Sequence, residues 1–210
     1  FGKELDSPAI HNIWVPDGSK DLTVNRYIHR SHLKDSLDEI FRKEYDKSHM
    51  KDSIESKLFG IGSEAFVVGS HEFYMGYSVA NNKMICLDMG HFHPTELVGD
   101  KISSMLLYVD ELMLHVSRGV RWDSDHVVIL NDEINLLSHE VVRANALNRV
   151  NVGLDFFDAS INRVGAYVTG TRAAQKSFLL ALLEPVQKIR DYENEGKYFE
   201  KLALMEEVKS

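Results

Sequence analysis

Four side chains of the kinds that bind metal ions stand at the ends of short apolar runs. They are Glu55, Asp88, His115 and Asp155. In parallel α/β folds, the carboxyl ends of the strands meet at one face, and functional groups lie there. A single carboxylate at such a position is more often a helix cap or a loop residue. Matching positions on four strands instead favour one shared site for a divalent cation.

A second group of ligands follows two of these predicted strand ends. Asp88 and His91 stand three residues apart in a tight loop, so both can face one point. Asp123 and Asp125 alternate in a later polar segment, and in an extended chain their side chains point the same way. With His91 they predict a second cation site, which Asp88 is placed to bridge to the first. The negative charge of two such sites is tolerable only with the cations bound.

Lys57 follows Glu55 by two residues, and the two side chains would share one strand face. A lysine that points into an active-site mouth is costly unless it has a partner or a task. Two interpretations stay open, namely a salt bridge to a ligand carboxylate and a cation beside a substrate oxygen. His93 and His126 are candidates for polar groups that orient the ligands.

The apolar pattern predicts strands that alternate with helices. Strands are predicted at 13–15, 52–59, 84–88, 112–116 and 150–154. Helices are predicted around 33–41 and over 63–80, 99–108 and 131–146, with Asn131 as an N-cap. From Ile161 onward the pattern is helical, with breaks near Pro185 and Gly196. This alternation indicates parallel β-α-β units.

The strand spacing leaves room for one helix in each unit, which is the step of a (β/α)8 barrel. Five strands make just over half a barrel and leave two open parallel edges. Two interpretations therefore stay open, an open doubly wound sheet and a fragment of a barrel. The nucleotide-binding form of the open sheet has little support, because Gly60-Ile61-Gly62 lacks the third glycine of a phosphate loop.

The composition limits the class of function. The 210 residues carry a formal net charge of −8, which disfavours nucleic acid and anionic membranes as partners and suits carboxylates that hold cations. No apolar stretch reaches the roughly 20 residues that span a bilayer. The single cysteine, Cys86, lies in an apolar run, so we expect a buried thiol and a reducing compartment. Since the first residue is Phe1 rather than Met, two interpretations stay open, a processed or engineered N-terminus and a piece of a longer chain.

Several long segments resemble the L-rhamnose isomerase family. In chain order they are Asn12-Ile13-Trp14, Pro16-Asp17-Gly18, Glu55–Gly62, Leu87–Glu96, His115–Arg118, Val120–His126 and Gly153–Arg163. The resemblance extends along essentially the whole chain. Gly119 stands where the family pattern has proline, which is a minor change in a loop.

This resemblance implies a fold and an activity. The fold is a (β/α)8 TIM barrel of the xylose-isomerase-like type, of which this chain covers roughly the second half. Residues 1–160 would form the C-terminal half of the barrel with the metal sites. Residues 161–210 would form the final barrel helix and the start of a C-terminal helical tail. The activity is conversion of L-rhamnose to L-rhamnulose, with related aldoses as further substrates, by a cytoplasmic homotetramer.

The resemblance also implies cofactors and residue roles. Two Mn²⁺ ions would bind in each active site, with Co²⁺ or Zn²⁺ as possible substitutes. The first ion maps to Glu55, Asp88, His115 and Asp155, and the second to His91, Asp123 and Asp125. Lys57, His91 and Asp123 would be catalytic in a hydride shift between C1 and C2, although the sequence alone leaves an enediol route open.

Two other functions stay open. A barrel metallohydrolase, such as an endonuclease of the same architecture, uses similar ligands. The acidic composition and the lack of a basic stripe count against that function. A fragment that keeps the ligands but lacks a closed site would be inactive.

Overall fold

The computed structural model describes residues 1–15, 17–56, 65–120, 125–158 and 160–209. In chain order the elements are α1 (Gly2–Leu5), β1 (Ala9–Trp14), α2 (Arg26–Ile40), β2 (Met50–Glu55), α3 (His71–Asn81), β3 (Met84–Asp88), α4 (Gly99–Met105), β4 (Leu112–Val116), β5 (Arg118–Gly119), β6 (Asp125–His126), α5 (Asp132–Arg143), β7 (Val150–Leu154), α6 (Arg163–Leu183), α7 (Val186–Asn194) and α8 (Tyr198–Glu207). None of the described helices is long and apolar enough to cross a membrane.

Five strands form one parallel sheet in the order β1-β2-β3-β4-β7. A helix stands between each strand and the next along the chain, as parallel pairing requires. Spatial order follows chain order, whereas a doubly wound sheet reverses its order at a switch point. This mixed α/β arrangement is the one expected of part of a (β/α)8 barrel.

The two faces of the sheet carry different side chains. On β3 and β4 the outer face is buried against the helices, and it belongs to the main core, which includes Ile54, Leu87 and Leu114. The inner face holds a smaller cluster of Met84, Cys86, Met113 and Ile10. The prediction that Cys86 is buried is confirmed, and burial raises the pKa of its thiol to about 12.

Polar groups occupy both ends of the inner face. At the amino ends of the strands, Lys51 Nζ donates to both carboxylate oxygens of Glu111, at 2.8 and 2.6 Å. The side-chain amide of Asn151 donates to Glu111 Oε2 at 3.2 Å. Those predicted metal ligands that the structure describes lie toward the opposite, carboxyl ends. The inner face is therefore layered, with apolar side chains between two polar layers, as in the filled interior of a barrel.

The strands predicted at 84–88, 112–116 and 150–154 are confirmed, whereas several other predicted boundaries are wrong. β1 runs from Ala9 to Trp14 rather than over 13–15, and α5 ends at Arg143 rather than at residue 146. β2 runs from Met50 to Glu55 rather than over 52–59, and 57–64 lie outside the described residues. α4 ends at Met105 rather than at residue 108. α3 begins only at His71, because the preceding segment is bonded to an earlier loop: the Gly69 N–H donates to Asp17 Oδ2 at 2.8 Å.

The helical C-terminal region breaks where the sequence predicts. α6 ends before Pro185, and Gly196, with a φ of 70°, separates α7 from α8. The guanidinium of Arg143 on α5 donates to both oxygens of Glu184 at 2.8 and 2.5 Å, which holds the end of α6 against α5. The division at residue 160 between barrel and tail stays a prediction.

Candidate metal centre

Four of the predicted ligands converge at the carboxyl ends of the strands. Glu55 ends β2, Asp88 ends β3, His115 is the next-to-last residue of β4, and Asp155 follows β7 directly. One potential ligand atom from each lies within 4.8 Å of those of the other three. The fold thus brings together the four side chains that the sequence pattern grouped.

His115 Nδ1 is close to all three carboxylates. It lies 3.1 Å from Glu55 Oε2, 3.3 Å from Asp88 Oδ2 and 3.2 Å from Asp155 Oδ2. Nδ1 and Asp88 Oδ2 are nevertheless buried without an aligned hydrogen bond to any described residue. Atoms about 2.1 Å from a shared ion are about 3.0 Å apart at octahedral angles and about 3.4 Å apart at tetrahedral angles. The spacing fits four side chains that share one divalent ion.

The cluster concentrates negative charge in a mostly buried place. Glu55 and Asp88 are only 3% and 2% exposed. Burial raises the pKa of the Glu55 carboxyl above its usual value. Burial by itself would lower the pKa of His115, but the surrounding carboxylates of Asp155, Asp88 and Glu55 raise it well above its ordinary value. A cation at this point would offset the repulsion among the carboxylates.

Neighbouring groups orient these ligands. The Gly90 N–H donates to Asp88 Oδ1 at 2.6 Å, which directs Oδ2 toward His115. The side-chain amide of Asn12 donates to Glu55 Oε2 at 2.5 Å. A Cβ at position 90 would lie 2.3 Å from Asp125 Oδ1, so a side chain there would require the Asp125 carboxylate to move. Glycine at this position lets two carboxylate-bearing segments approach each other.

His91, from the second predicted set, lies beside the first cluster. Its Nδ1 donates to the carbonyl oxygen of Ser56 at 2.9 Å and lies 3.2 Å from Glu55 Oε1. Its ring stacks on Trp14 with 6.3 Å between centroids. With Nδ1 carrying the proton, Nε2 is the atom that can bind a metal ion.

Asp125 reaches the same region from the β5–β6 pair. Gly119 and Asp125 are opposite each other in that antiparallel pair. The Ser117 hydroxyl donates to Asp125 Oδ1 at 3.0 Å. Burial, together with the charge of Asp88, raises the pKa of Asp125 to about 6.

Two further predicted site residues, Lys57 and Asp123, lie outside the described residues, so their roles stay predictions.

Sequence reasoning missed three neighbours of the ligands, namely Asn12, Trp14 and Ser117. Asn12 and Ser117 were noted only within family motifs, and Trp14 also within a predicted strand; Asn12 and Trp14 lie on the inner face of β1. The available signal for Asn12 was a polar residue that alternates with Ile10 and Trp14 on one face of β1. The predicted orienting roles of His93 and His126 stay predictions: His93 Nδ1 lies 2.7 Å from the Thr95 hydroxyl, and His126 Nδ1 lies 4.0 Å from Asp158.

The chain is similar to known proteins over its whole length. A family model described as L-rhamnose isomerase (RhaA) matches residues 1–210. This chain belongs to the L-rhamnose isomerase family. L-rhamnose isomerases of Bacteroides thetaiotaomicron, Pectobacterium carotovorum and Klebsiella pneumoniae are 62%, 58% and 55% identical to it over all 210 residues. Those alignments cover 50% of each relative, so the chain spans about half the length of the curated relatives it matches.

Membership of the L-rhamnose isomerase family confirms the resemblance drawn from the sequence motifs. The relatives named above are isomerases by name, and none of the three is named as a hydrolase. The four converging ligands lie within the matched region, so the candidate metal centre belongs to the part of the chain that the relatives share.

Proposed function

We propose that this chain supplies the metal-binding part of a metal-dependent aldose-ketose isomerase that converts L-rhamnose to L-rhamnulose. The observation that carries the proposal is the ligand-like spacing of Glu55, Asp88, His115 and Asp155 in a member of the L-rhamnose isomerase family. The complete protein would be a cytoplasmic homotetramer that also accepts related aldoses. Its fold would be a xylose-isomerase-like (β/α)8 barrel, with this chain as roughly the second half.

The proposed sites would hold two divalent ions per active site. The four converging residues would hold the first, and His91, Asp123 and Asp125 would hold the second. The first set is anionic and contains a single imidazole, which suits Mn²⁺, with Co²⁺ or Zn²⁺ as substitutes. When bound, such ions polarise adjacent sugar hydroxyls and stabilise the negative charge that develops during reaction.

The protein's own groups orient the ligands and handle the protons. The amides of Gly90 and Asn12 and the hydroxyl of Ser117 each hold one carboxylate oxygen of a ligand. In the aldose-to-ketose direction, hydride would pass from C2 to C1 while a proton passes from O2 to O1. We propose that Lys57 transfers that proton, and that His91 and Asp123 lie on the side of the site that faces the substrate.

The test uses the full-length protein that carries these residues. Excess EDTA should abolish ketose formation from L-rhamnose, and Mn²⁺ or Co²⁺ added after removal of the chelator should restore it. Undiminished turnover in excess EDTA would exclude metal-dependent catalysis. As a control, protein passed through the same steps without EDTA should keep its full rate.

A further inference from the structure

Asn12 belongs to neither ligand set, yet its side chain contacts a proposed ligand. It lies on β1 opposite Ser53 of β2, and its amide nitrogen donates to Glu55 Oε2 at 2.5 Å. The amide must face this way when Glu55 is ionised, because a carbonyl oxygen there would oppose the carboxylate. Asn12 thus anchors one chosen oxygen of Glu55.

The other end of the Asn12 side chain has an unfavourable environment. Its Oδ1 is buried and accepts no hydrogen bond from the part of the chain that the structure describes. A buried acceptor without a donor is destabilising, and an apolar residue of similar size would avoid that cost. Asparagine therefore contributes something that packing does not require, and among the described residues the candidate ligand that its amide contacts is Glu55.

The two oxygens of Glu55 face different ligand sets. Oε2 lies 3.1 Å from His115 Nδ1, in the first set. Oε1 lies 3.2 Å from His91 Nδ1, in the second set. One rotation of this carboxylate would displace both contacts. An anchor on Oε2 consequently sets the geometry at both sites.

We propose that Asn12 is a positioning residue for both cation sites, acting through Glu55. Its N–H donor sets the plane of the carboxylate, so that Oε2 serves the His115 set and the negative Oε1 stays beside His91 Nδ1, where it favours the protonated Nδ1 that donates to Ser56. This inference rests on the proposed function, because it requires that cations bind at these ligands. Loss of the donor should weaken binding of the first ion directly and binding of the second ion through His91.

The test compares Asn12→Leu with wild type in metal-free full-length protein. Titration calorimetry with Mn²⁺ should show a dissociation constant for the first ion raised about 10- to 100-fold, the range for loss of a group that orients a ligand. Thermal unfolding of the metal-free proteins is the second readout, since a purely structural role would move it and leave Mn²⁺ affinity unchanged. His11→Leu is the matched control, because His11 is adjacent on β1 and pairs with Asp52 away from the ligands.

The outcomes separate the two proposals. The positioning role is supported if wild type binds Mn²⁺, Asn12→Leu binds it more weakly, and His11→Leu binds it with unchanged affinity. Equal Mn²⁺ affinity in wild type and Asn12→Leu would overturn that role and leave the proposed function standing. Wild type that binds no Mn²⁺ would overturn both. If Asn12→Leu fails to fold, Asn12→Ser gives the same readout, because serine is too short to reach Glu55.

Discussion

Asp88 and His115 face each other in register on β3 and β4, with 3.3 Å between Asp88 Oδ2 and His115 Nδ1. Both atoms are buried, and neither has an aligned hydrogen bond among the described residues. An arrangement of this kind is costly without a shared partner, about 1–3 kcal/mol for each unsatisfied group. A divalent ion bound by both atoms removes that cost, so the pair provides a direct test of the metal centre.

Asp88→Asn should greatly weaken binding of the first ion. The substitution keeps the shape of the side chain and removes one negative charge and one ligand oxygen. The dissociation constant for Mn²⁺ should rise by more than about 100-fold, beyond the effect of losing a group that only orients a ligand. Titration calorimetry on metal-free protein measures the change. Asp110→Asn is the control, since Asp110 is exposed at the opposite end of the strands and should leave affinity unchanged. Equal affinity in the two variants would contradict the assignment.

Asp123→Asn combined with Asp125→Asn should abolish the second ion and the isomerase activity while the first ion stays bound. The reason is that these two carboxylates supply most of the proposed second site, whereas the first set does not include them. Metal content after dialysis, measured by elemental analysis, should fall from two ions to one per chain. Two tightly held ions in the double variant would show that the second site lies elsewhere.

His71 should make folding stability depend on pH. Its ring packs edge-on against Phe92 at 5.2 Å, and its Nδ1 is buried without a partner in the described chain. Burial lowers the pKa of His71 from 6.5, Lys101 lowers it further, and Glu72 and Glu96 act in the opposite direction. The unfolded state therefore binds the proton first as pH falls. The contribution is complete above pH 6.5 and is lost as pH falls from there toward the folded-state pKa.

The measurement is the free energy of unfolding from denaturant titrations at several pH values. Between about pH 7 and pH 5, wild type should lose more stability than His71→Leu, which cannot titrate and keeps an apolar contact with Phe92. His32→Leu, on the exposed side of α2, controls for the loss of an ordinary imidazole. Parallel pH profiles for wild type and His71→Leu would contradict the prediction.

Residues 1–210 expressed by themselves should associate or be insoluble, and should lack isomerase activity. The sheet ends in β1 on one side and β7 on the other. Val152 on β7 is 42% exposed, and Leu179 and Leu182 on α6 are each 55% exposed. These side chains line an apolar groove of about 540 Å³. Open parallel edges and exposed apolar surfaces of this kind bind other chains.

Light scattering coupled to gel filtration, over a range of protein concentrations, measures that association. A Leu179→Lys, Leu182→Glu variant should associate less, because it places charges in the groove without touching the metal ligands. A soluble monomer of 1–210 that unfolds cooperatively would show that the edges are stable as they are.

Much of the fold was predictable from local patterns. Buried parallel strands are continuous apolar runs, which is why β3, β4 and β7 were placed at their observed bounds. The predicted position of β2 was wrong because polar residues such as Lys51 and Glu55 alternate along its inner face, so no continuous apolar run marks the strand. The start of α3 was missed because Gly69 bonds to Asp17, a partner 52 residues away that no local pattern reveals.

The sequence by itself determined which ligand types stand at the strand ends and to which family the chain belongs, since both depend on residues close together in the chain. Only the tertiary structure decided which atoms meet. Strand register places Trp14 opposite Glu55 and Asp88 opposite His115. Register results from the packing of whole elements, and for that reason the contact between Asn12 and Glu55 was visible only once the strands were paired.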